Sequence, residues 1–80
     1  MARPESLVEV RVPVLDRPGV VAEVTTLAGE LSVNIEDLEI AHSSEGDRGV
    51  LVLLVDARVS ELLRQALVGR GFRPSAHPLA

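Results

Sequence analysis

The amino-acid sequence predicts a small α+β domain, in which two helices cover one face of a four-stranded antiparallel sheet. Its 80 residues allow one domain and no more. A hydrophobic fraction of 46% with a single aromatic residue indicates a core built from Val, Leu and Ile. Apolar residues also recur with strand and helix periods in turn along the chain. We therefore expect one domain over residues 1–80, with a core spanning about residues 6–77.

The first half of the chain predicts a strand, a helix and a second strand. Valines alternate with charged residues from Leu7 to Val14, as in a half-buried strand. Pro18 favours a helix start, because its missing N–H needs no partner at the first helical position. Apolar residues at three- and four-residue steps then predict one buried helix face, ending near Ser32. The acidic segment Ile35–His42 predicts a strand at a sheet edge.

The second half repeats the pattern with a strand, a helix and a last strand. The polar segment Ser43–Gly49 predicts a hairpin loop. The unbroken apolar run Val50–Val55 is typical of a central strand that is covered on both faces. Asp56 can cap the following helix, which we expect to stop at Gly69. Phe72 is predicted to begin a short last strand.

This order of elements is the split βαβ arrangement of a ferredoxin-like βαββαβ sandwich. Right-handed crossovers place the first and third strands in the centre of the sheet and the second and fourth at its edges. Because both helices lie on one face, apolar residues of the third strand that point the other way need another cover. A second subunit is the simplest supplier, so we expect a homodimer or a higher oligomer.

Composition argues against several classes of function. The net charge of −4 and the single aromatic residue leave neither a basic footprint nor a stacking platform, so we expect no nucleic-acid partner. The absence of Cys excludes disulfides and thiol catalysis. No apolar run of about 20 residues is present to span a membrane, and a cytoplasmic protein without a membrane partner is expected.

Titratable residues give no catalytic or metal-binding pattern. His42 and His77 have no spaced partners that would complete a metal site, so we expect strand-end or surface histidines, no metal and no cofactor. No Ser, His and Asp are placed to suggest a nucleophile, and the chain by itself is not expected to be an enzyme. The acidic side chains of the second strand are interpreted as solvated charge. Five arginines are interpreted as scattered over loop and helix surfaces, without the Gly-rich cradle that phosphate binding would need; these are Arg48, Arg58, Arg64, Arg70 and Arg73.

Two turns around the first helix allow two interpretations each. At Asp16–Val20, unpaired N–H groups of a helix start suit a carboxylate, Gly19 permits close approach, and Asp16 could hold an ammonium group, as a free amino acid requires. Equally, Asp16 could cap the helix. Asn34 suits a turn, where it can bond backbone and tolerates a left-handed conformation. Its amide could instead reach across a subunit boundary towards a neighbour's Asp16.

The segment "DRPGVVAEVTTLAGELSVNIEDLEI" resembles the core of ACT domains, the small amino-acid-sensing modules of biosynthetic enzymes. The resemblance extends in order over nearly the whole chain. It is greatest to the C-terminal ACT domain of bacterial prephenate dehydrogenases of the tyrosine branch, through "VPVLDRPGVVAEVTTLAGE" and through "NIEDLEI" followed by "GVLVLLV".

The resemblance implies a ligand site at a dimer interface, formed by the first turn of one subunit and the second strand of another. The matching positions are Val14, Asp16, Pro18, Gly19 and Val20 in the turn, with Asn34 and Ile35 opposite. Ser32 stands where the family often has Gly at the helix end. Val14 is apolar where serine-sensing relatives carry a polar residue, which favours an apolar or aromatic effector such as tyrosine.

Three alternatives stay open at the level of sequence. The chain could regulate a prephenate dehydrogenase or another amino-acid biosynthetic enzyme by binding an amino acid. It could also be an assembly module without a ligand, pairing subunits through its sheet edge or exposed sheet face. Whether the chain stands alone or belongs to a larger enzyme is open as well.

Overall fold

A computed structural model describes residues 6–42 and 46–79 of the chain. The elements are β1 (Leu7–Leu15), α1 (Val20–Glu30), β2 (Ile35–His42), β3 (Arg48–Asp56), α2 (Ala57–Gly69) and β4 (Ser75–Pro78). All the strands belong to one antiparallel sheet in the order β2-β3-β1-β4. The predicted ferredoxin-like βαββαβ fold is therefore confirmed, with β1 and β3 in the centre.

One face of the sheet is buried beneath the helices. Alternate β1 residues from Val8 to Val14 are at most 8% exposed. In the register of β1 with β3, Val10 lies opposite Leu53 and Val12 opposite Leu51, and directly paired residues share a face. The helices complete this core with Val20, Val24, Leu27, Ala28, Leu63 and Leu67. Each fully buried Val or Leu side chain stabilises the fold by about 1.5–3 kcal/mol.

The other sheet face has no helix against it among the described residues. Val50, Val52 and Leu54 of β3 point to this open face and are only half-buried. Their β1 neighbours Pro13 and Arg11 leave the face partly apolar and partly charged. The sequence-based expectation that another subunit covers this face stays a prediction.

Helix α1 begins two residues later than Pro18 suggested. Val20 donates its N–H to the Arg17 carbonyl at 3.2 Å, and Gly19 adopts φ 87° and ψ −6°. Proline followed by a left-handed glycine is the pairing that a type II turn requires. Pro18 thus shapes a turn before the helix, and its predicted place at the first helical position is wrong.

Helix α2 begins as the sequence predicted. The Asp56 carboxylate accepts a hydrogen bond from the Arg58 backbone N–H at 2.8 Å, which satisfies one free donor of the first turn. The Arg58 guanidinium also bonds this carboxylate and lowers the pKa of Asp56. The cap therefore stays ionised into more acidic solution than an isolated aspartate.

Helix α1 ends in a Schellman motif that uses a serine. Val33 donates its N–H to the Ala28 carbonyl at 2.8 Å, and Ser32 donates to Gly29 at 3.0 Å. This pattern needs a left-handed residue after the C-cap, and Ser32 supplies it with φ 58°. Because glycine is the residue that adopts this conformation without steric cost, the serine strains the turn.

Helix α2 ends in the same motif with a glycine. Phe72 donates its N–H to the Leu67 carbonyl at 3.0 Å, and Gly71 has φ 91°. Phe72 is the last residue of this motif, and its partly buried side chain packs against the core. The last strand consequently begins at Ser75, and the prediction that Phe72 begins it is wrong.

The β2–β3 connection is shorter than the predicted loop. Residues 43–45 of that loop lie outside the described residues, and β3 already begins at Arg48. Arg48 pairs with Leu15, and Gly49 pairs with His42. A Cβ atom on Gly49 would lie 3.1 Å from the Ala41 carbonyl oxygen, so the absence of a side chain permits this close pairing.

Replacing Ser32 by glycine is expected to raise the free energy of unfolding. The left-handed conformation costs a non-glycine residue about 1–2 kcal/mol, and the added flexibility of the unfolded chain returns about 0.4–1 kcal/mol of that. We expect Ser32→Gly to raise the free energy of unfolding, measured with urea, by about 0.5–1 kcal/mol. The matched control Ser32→Ala keeps the strain, and an equal gain in that variant would contradict this explanation.

Candidate functional site

The turn between β1 and α1 is held by backbone hydrogen bonds. Asp16 donates its N–H to the Asp47 carbonyl at 2.7 Å, which ties the turn to the segment before β3. Arg17 donates to the Leu15 carbonyl at 2.9 Å, and the type II turn follows. Since these bonds involve no side chain, the side chains of the turn are left to make other contacts.

The first turn of α1 presents free backbone donors. Glu23 donates its N–H to the Gly19 carbonyl at 2.9 Å, but neither Val21 nor Ala22 donates its N–H to a described residue. The N-cap is Gly19, which has no side chain to accept them. These two donors lie at the positive end of the helix dipole, where a carboxylate group would be stabilised.

The Asp16 side chain does not cap α1, so that sequence interpretation is wrong. Its Oδ2 atom lies 3.1 Å from Nδ1 of His42, the last residue of β2. Both side chains are exposed, Asp16 to 36% and His42 to 60%. His42 was expected to be a strand-end residue, and it is. No pattern in the sequence predicts the contact between His42 and Asp16, because only the pairing of β1 with β3 and of β3 with β2 brings the two residues together.

A hollow lies at the end of the sheet beside this pair. It has a volume of about 330 Å³, near the lower end of the range for small-molecule sites. Its lining residues are Pro13, Val14, Ala41, His42, Arg48, Gly49 and Val50. Most of these side chains are apolar, so the hollow suits an apolar group attached to a polar head.

Asn34 and Ile35 lie at the opposite end of the sheet from Asp16. Ile35 pairs with Val55, whereas His42 at the other end of β2 pairs with Gly49. An eight-residue strand separates its two ends by roughly 25 Å. Within one chain, the two halves of the predicted ligand site therefore do not meet.

Asn34 has a different local role from the one expected in a turn. Its Nδ2 atom donates to Glu36 Oε2 at 2.6 Å, so its amide contacts a side chain and not the backbone. Ser32, two residues earlier, has the positive φ. The expectation that Asn34 makes a left-handed, backbone-bonded turn is wrong.

Four arginines line a second cavity beside the β1–α1 turn, and Arg48 among them also borders the hollow. Arg17, Arg48, Arg70 and Arg73 line one cleft of about 540 Å³. Three of these had been interpreted as scattered over surfaces, and that interpretation is wrong for them. Arg17, Arg48 and the neighbouring pair Arg70 and Arg73 are far apart in the sequence, and the fold brings them together. We call this feature the arginine cleft.

Other kinds of site find no support in the part of the chain that the structure describes. Over residues 6–42 and 46–79, no three or more His, Cys, Asp or Glu side chains are grouped where they could hold a metal ion. No helix within these ranges is both long enough and apolar enough to cross a membrane.

Comparisons by sequence find no matching family model and no matching curated protein. By structure, the chain is similar to the ACT domain of prephenate dehydrogenase from Bacillus anthracis. That similarity has a TM-score of 0.68 and 27% identity, and it covers 84% of this chain and 99% of that domain.

Two further structures share the fold at lower sequence identity. The regulatory subunit of aspartate kinase from Thermus thermophilus matches 92% of this chain with a TM-score of 0.82 and 15% identity. A protein from Bacteroides thetaiotaomicron matches 92% with a TM-score of 0.75 and 20% identity. This chain spans about half the length of each, 52% and 49% respectively.

The left-handed backbone conformation of Gly19 in the β1–α1 turn predicts how glycine substitutions change the free energy of unfolding. Gly19→Ala should lower the free energy of unfolding by about 1–2 kcal/mol, because φ is positive there. Gly29→Ala is the matched control, since Gly29 also has open space around it but sits inside α1. The free energy of unfolding of that control should rise by about 0.5–1 kcal/mol, because alanine favours a helix interior more than glycine does. Urea unfolding of both variants measures the difference, and losses of equal size would refute the assignment.

Proposed function

We propose that this chain, which has the fold of ACT domains, is a regulatory module that binds a free amino acid at a boundary between two copies of itself. The observation that carries the proposal is the pairing of opposite charges at the β1–α1 turn. The free N–H groups of Val21 and Ala22 suit the α-carboxylate of the effector. The Asp16 carboxylate, accessible beside His42, suits the ammonium group.

A second copy supplies the remaining contacts in this proposal. β2 is an edge strand, so two copies could pair their β2 strands antiparallel about a twofold axis. Such pairing would set the start of one β2 beside the end of the other. The partner's Asn34 would then approach His42 and Asp16, which is the arrangement that the similarity to ACT domains favours.

The side chain of the effector is proposed to be apolar or aromatic. Val14 lies at the base of the hollow and is 8% exposed, and Pro13 and Val50 add further apolar surface. Tyrosine and phenylalanine fit this character better than serine does. The similarity to the ACT domain of a prephenate dehydrogenase supports a host enzyme of tyrosine biosynthesis, with tyrosine as the effector.

Regulation follows if the effector binds the paired arrangement more tightly than the separated one. A coupling of about 1–3 kcal/mol is enough to change the activity of an attached or associated enzyme. By linkage, the same coupling makes the amino acid strengthen the association of the two copies. The chain itself is proposed to have no catalytic role.

An assembly module without a ligand is the alternative. It is favoured by the half-buried apolar residues Val50, Val52 and Leu54 on the open sheet face, which association could cover without any effector. Both functions predict a dimer, so the oligomeric state does not separate them and ligand binding does.

Calorimetry of the purified chain should separate the two functions. We expect heat on titration with tyrosine or phenylalanine, and weaker or no heat with serine and the branched-chain amino acids. Asp16→Ala should weaken binding by about tenfold or more, because it removes a charge-assisted contact. Glu61→Gln, on the exposed surface of α2, is the control and should bind as wild type. If none of these amino acids gives heat with a chain that is confirmed to be a dimer, the assembly function alone is favoured.

Mixing two variants tests whether the site is shared between copies. Asp16→Ala and Asn34→Ala should each bind weakly alone. In a mixed dimer, one site carries both changes and the other carries neither, so mixing should restore about one quarter of the sites. A site built from one chain would gain nothing on mixing, and that result would contradict the shared arrangement.

A further inference from the structure

We infer that the arginine cleft is a second ligand site, for a small anion that carries two negative charges, such as a phosphate or a dicarboxylate. The cleft extends from the β1–α1 turn towards the connection between α2 and β4, whereas the amino-acid hollow extends towards β2. The two adjoin each other and share Pro13, Val14 and Arg48 in their walls. All residues that line the cleft belong to one chain.

The arginines of the cleft come from three separate segments. Arg17 belongs to the β1–α1 turn and Arg48 is the first residue of β3, paired with Leu15 at the end of β1. Arg70 follows the end of α2, and Arg73 precedes β4. The whole chain has eight basic residues and a net charge of −4, so half of its cations surround one cleft. A concentration of this kind creates a local positive potential on an acidic protein.

Two of the four guanidinium groups have no counter-ion among the residues that the structure describes. Arg17 pairs with Glu23 at 2.7 Å, and Arg70 lies 3.4 Å from Glu30. The guanidinium groups of Arg48 and Arg73 make no ion pair or hydrogen bond with any described residue. Gathering like charges costs free energy unless an anion lies between them. An anion with two charges would neutralise the two guanidinium groups that residues 6–42 and 46–79 leave unpaired.

The chemistry and size of the cleft define the class of ligand. A planar guanidinium bonds carboxylate and phosphate oxygens in pairs, so both groups satisfy the same donors. The volume of about 540 Å³ lies within the range of small-molecule sites. Val20, which is 2% exposed, and the half-buried Phe72 form an apolar part of the wall. The cleft therefore suits a small organic anion with some apolar surface better than a bare ion.

The test is an NMR titration of the isotopically labelled full chain with inorganic phosphate, with succinate and with acetate, at constant ionic strength. We expect phosphate or succinate, but not acetate, to shift the amide signals of Gly71 and Phe72 in a saturable way. Saturation with phosphate alone identifies a phosphorylated ligand, and saturation with succinate alone identifies a dicarboxylate. Either result supports the site, and failure of both to bind better than acetate would overturn it.

Arginine variants show whether the cleft itself binds the anion. Arg48→Gln and Arg73→Gln should each weaken binding by about tenfold. Arg64→Gln is the matched control, because Arg64 lies on α2 paired with Glu61 at 2.7 Å and outside the cleft. An equal loss in the control would show non-specific attraction and would overturn the proposal. The spectrum of each variant without ligand reports whether it is folded.

Two variants distinguish this proposal from the amino-acid site. Arg73→Gln should leave the heat of amino-acid binding unchanged, and Asp16→Ala should leave the anion titration unchanged. If no amino acid binds, the anion titration still tests the arginine cleft, because its outcome does not depend on amino-acid binding. Loss of anion binding in Asp16→Ala would show that the cleft is not a separate site.

Discussion

The pairing of β1 with β3 is the interaction on which the rest of the structure depends. It runs from Leu7 opposite Asp56 to Leu15 opposite Arg48, and it buries one face of both strands beneath the helices. A slip of one residue would turn every buried side chain of β1 outwards, so the core specifies the register strongly. The same register decides which residues meet at the end of the sheet where β1 stops.

The hollow and the arginine cleft both lie at that end of the sheet. The β1–α1 turn is anchored there through backbone bonds, including Asp16 N–H to the Asp47 carbonyl at 2.7 Å. The Asp16 carboxylate beside His42 and the free donors at the start of α1 suit a molecule that carries both charges. Arg73 lies in the arginine cleft, and Arg48 borders both the cleft and the hollow. The two proposed sites thus adjoin each other at this turn and differ in charge.

In the proposed function, the one-sided coverage of the sheet links the ligand site to association between copies. A chain of 80 residues buries only about 60% of its unfolded surface, and here the helices leave Val52 and Leu54 half-buried on the open face. Covering such surface by association would add stability that the isolated chain lacks. An effector that bridges two copies acts on the same balance, which is why ligand binding and assembly are coupled in the proposed function.

The sequence by itself determined the fold class, because alternating and helical periods are local properties that each segment carries alone. It also identified Asp56 as a helix cap and the β1–α1 turn as the place with helix donors. Only the tertiary structure decided the role of Pro18, since a type II turn and a helix start use the same residues. Likewise, only the tertiary structure brought His42 to Asp16 and gathered the arginine cleft. Such contacts arise from strand register and helix placement, which no local pattern of residues encodes.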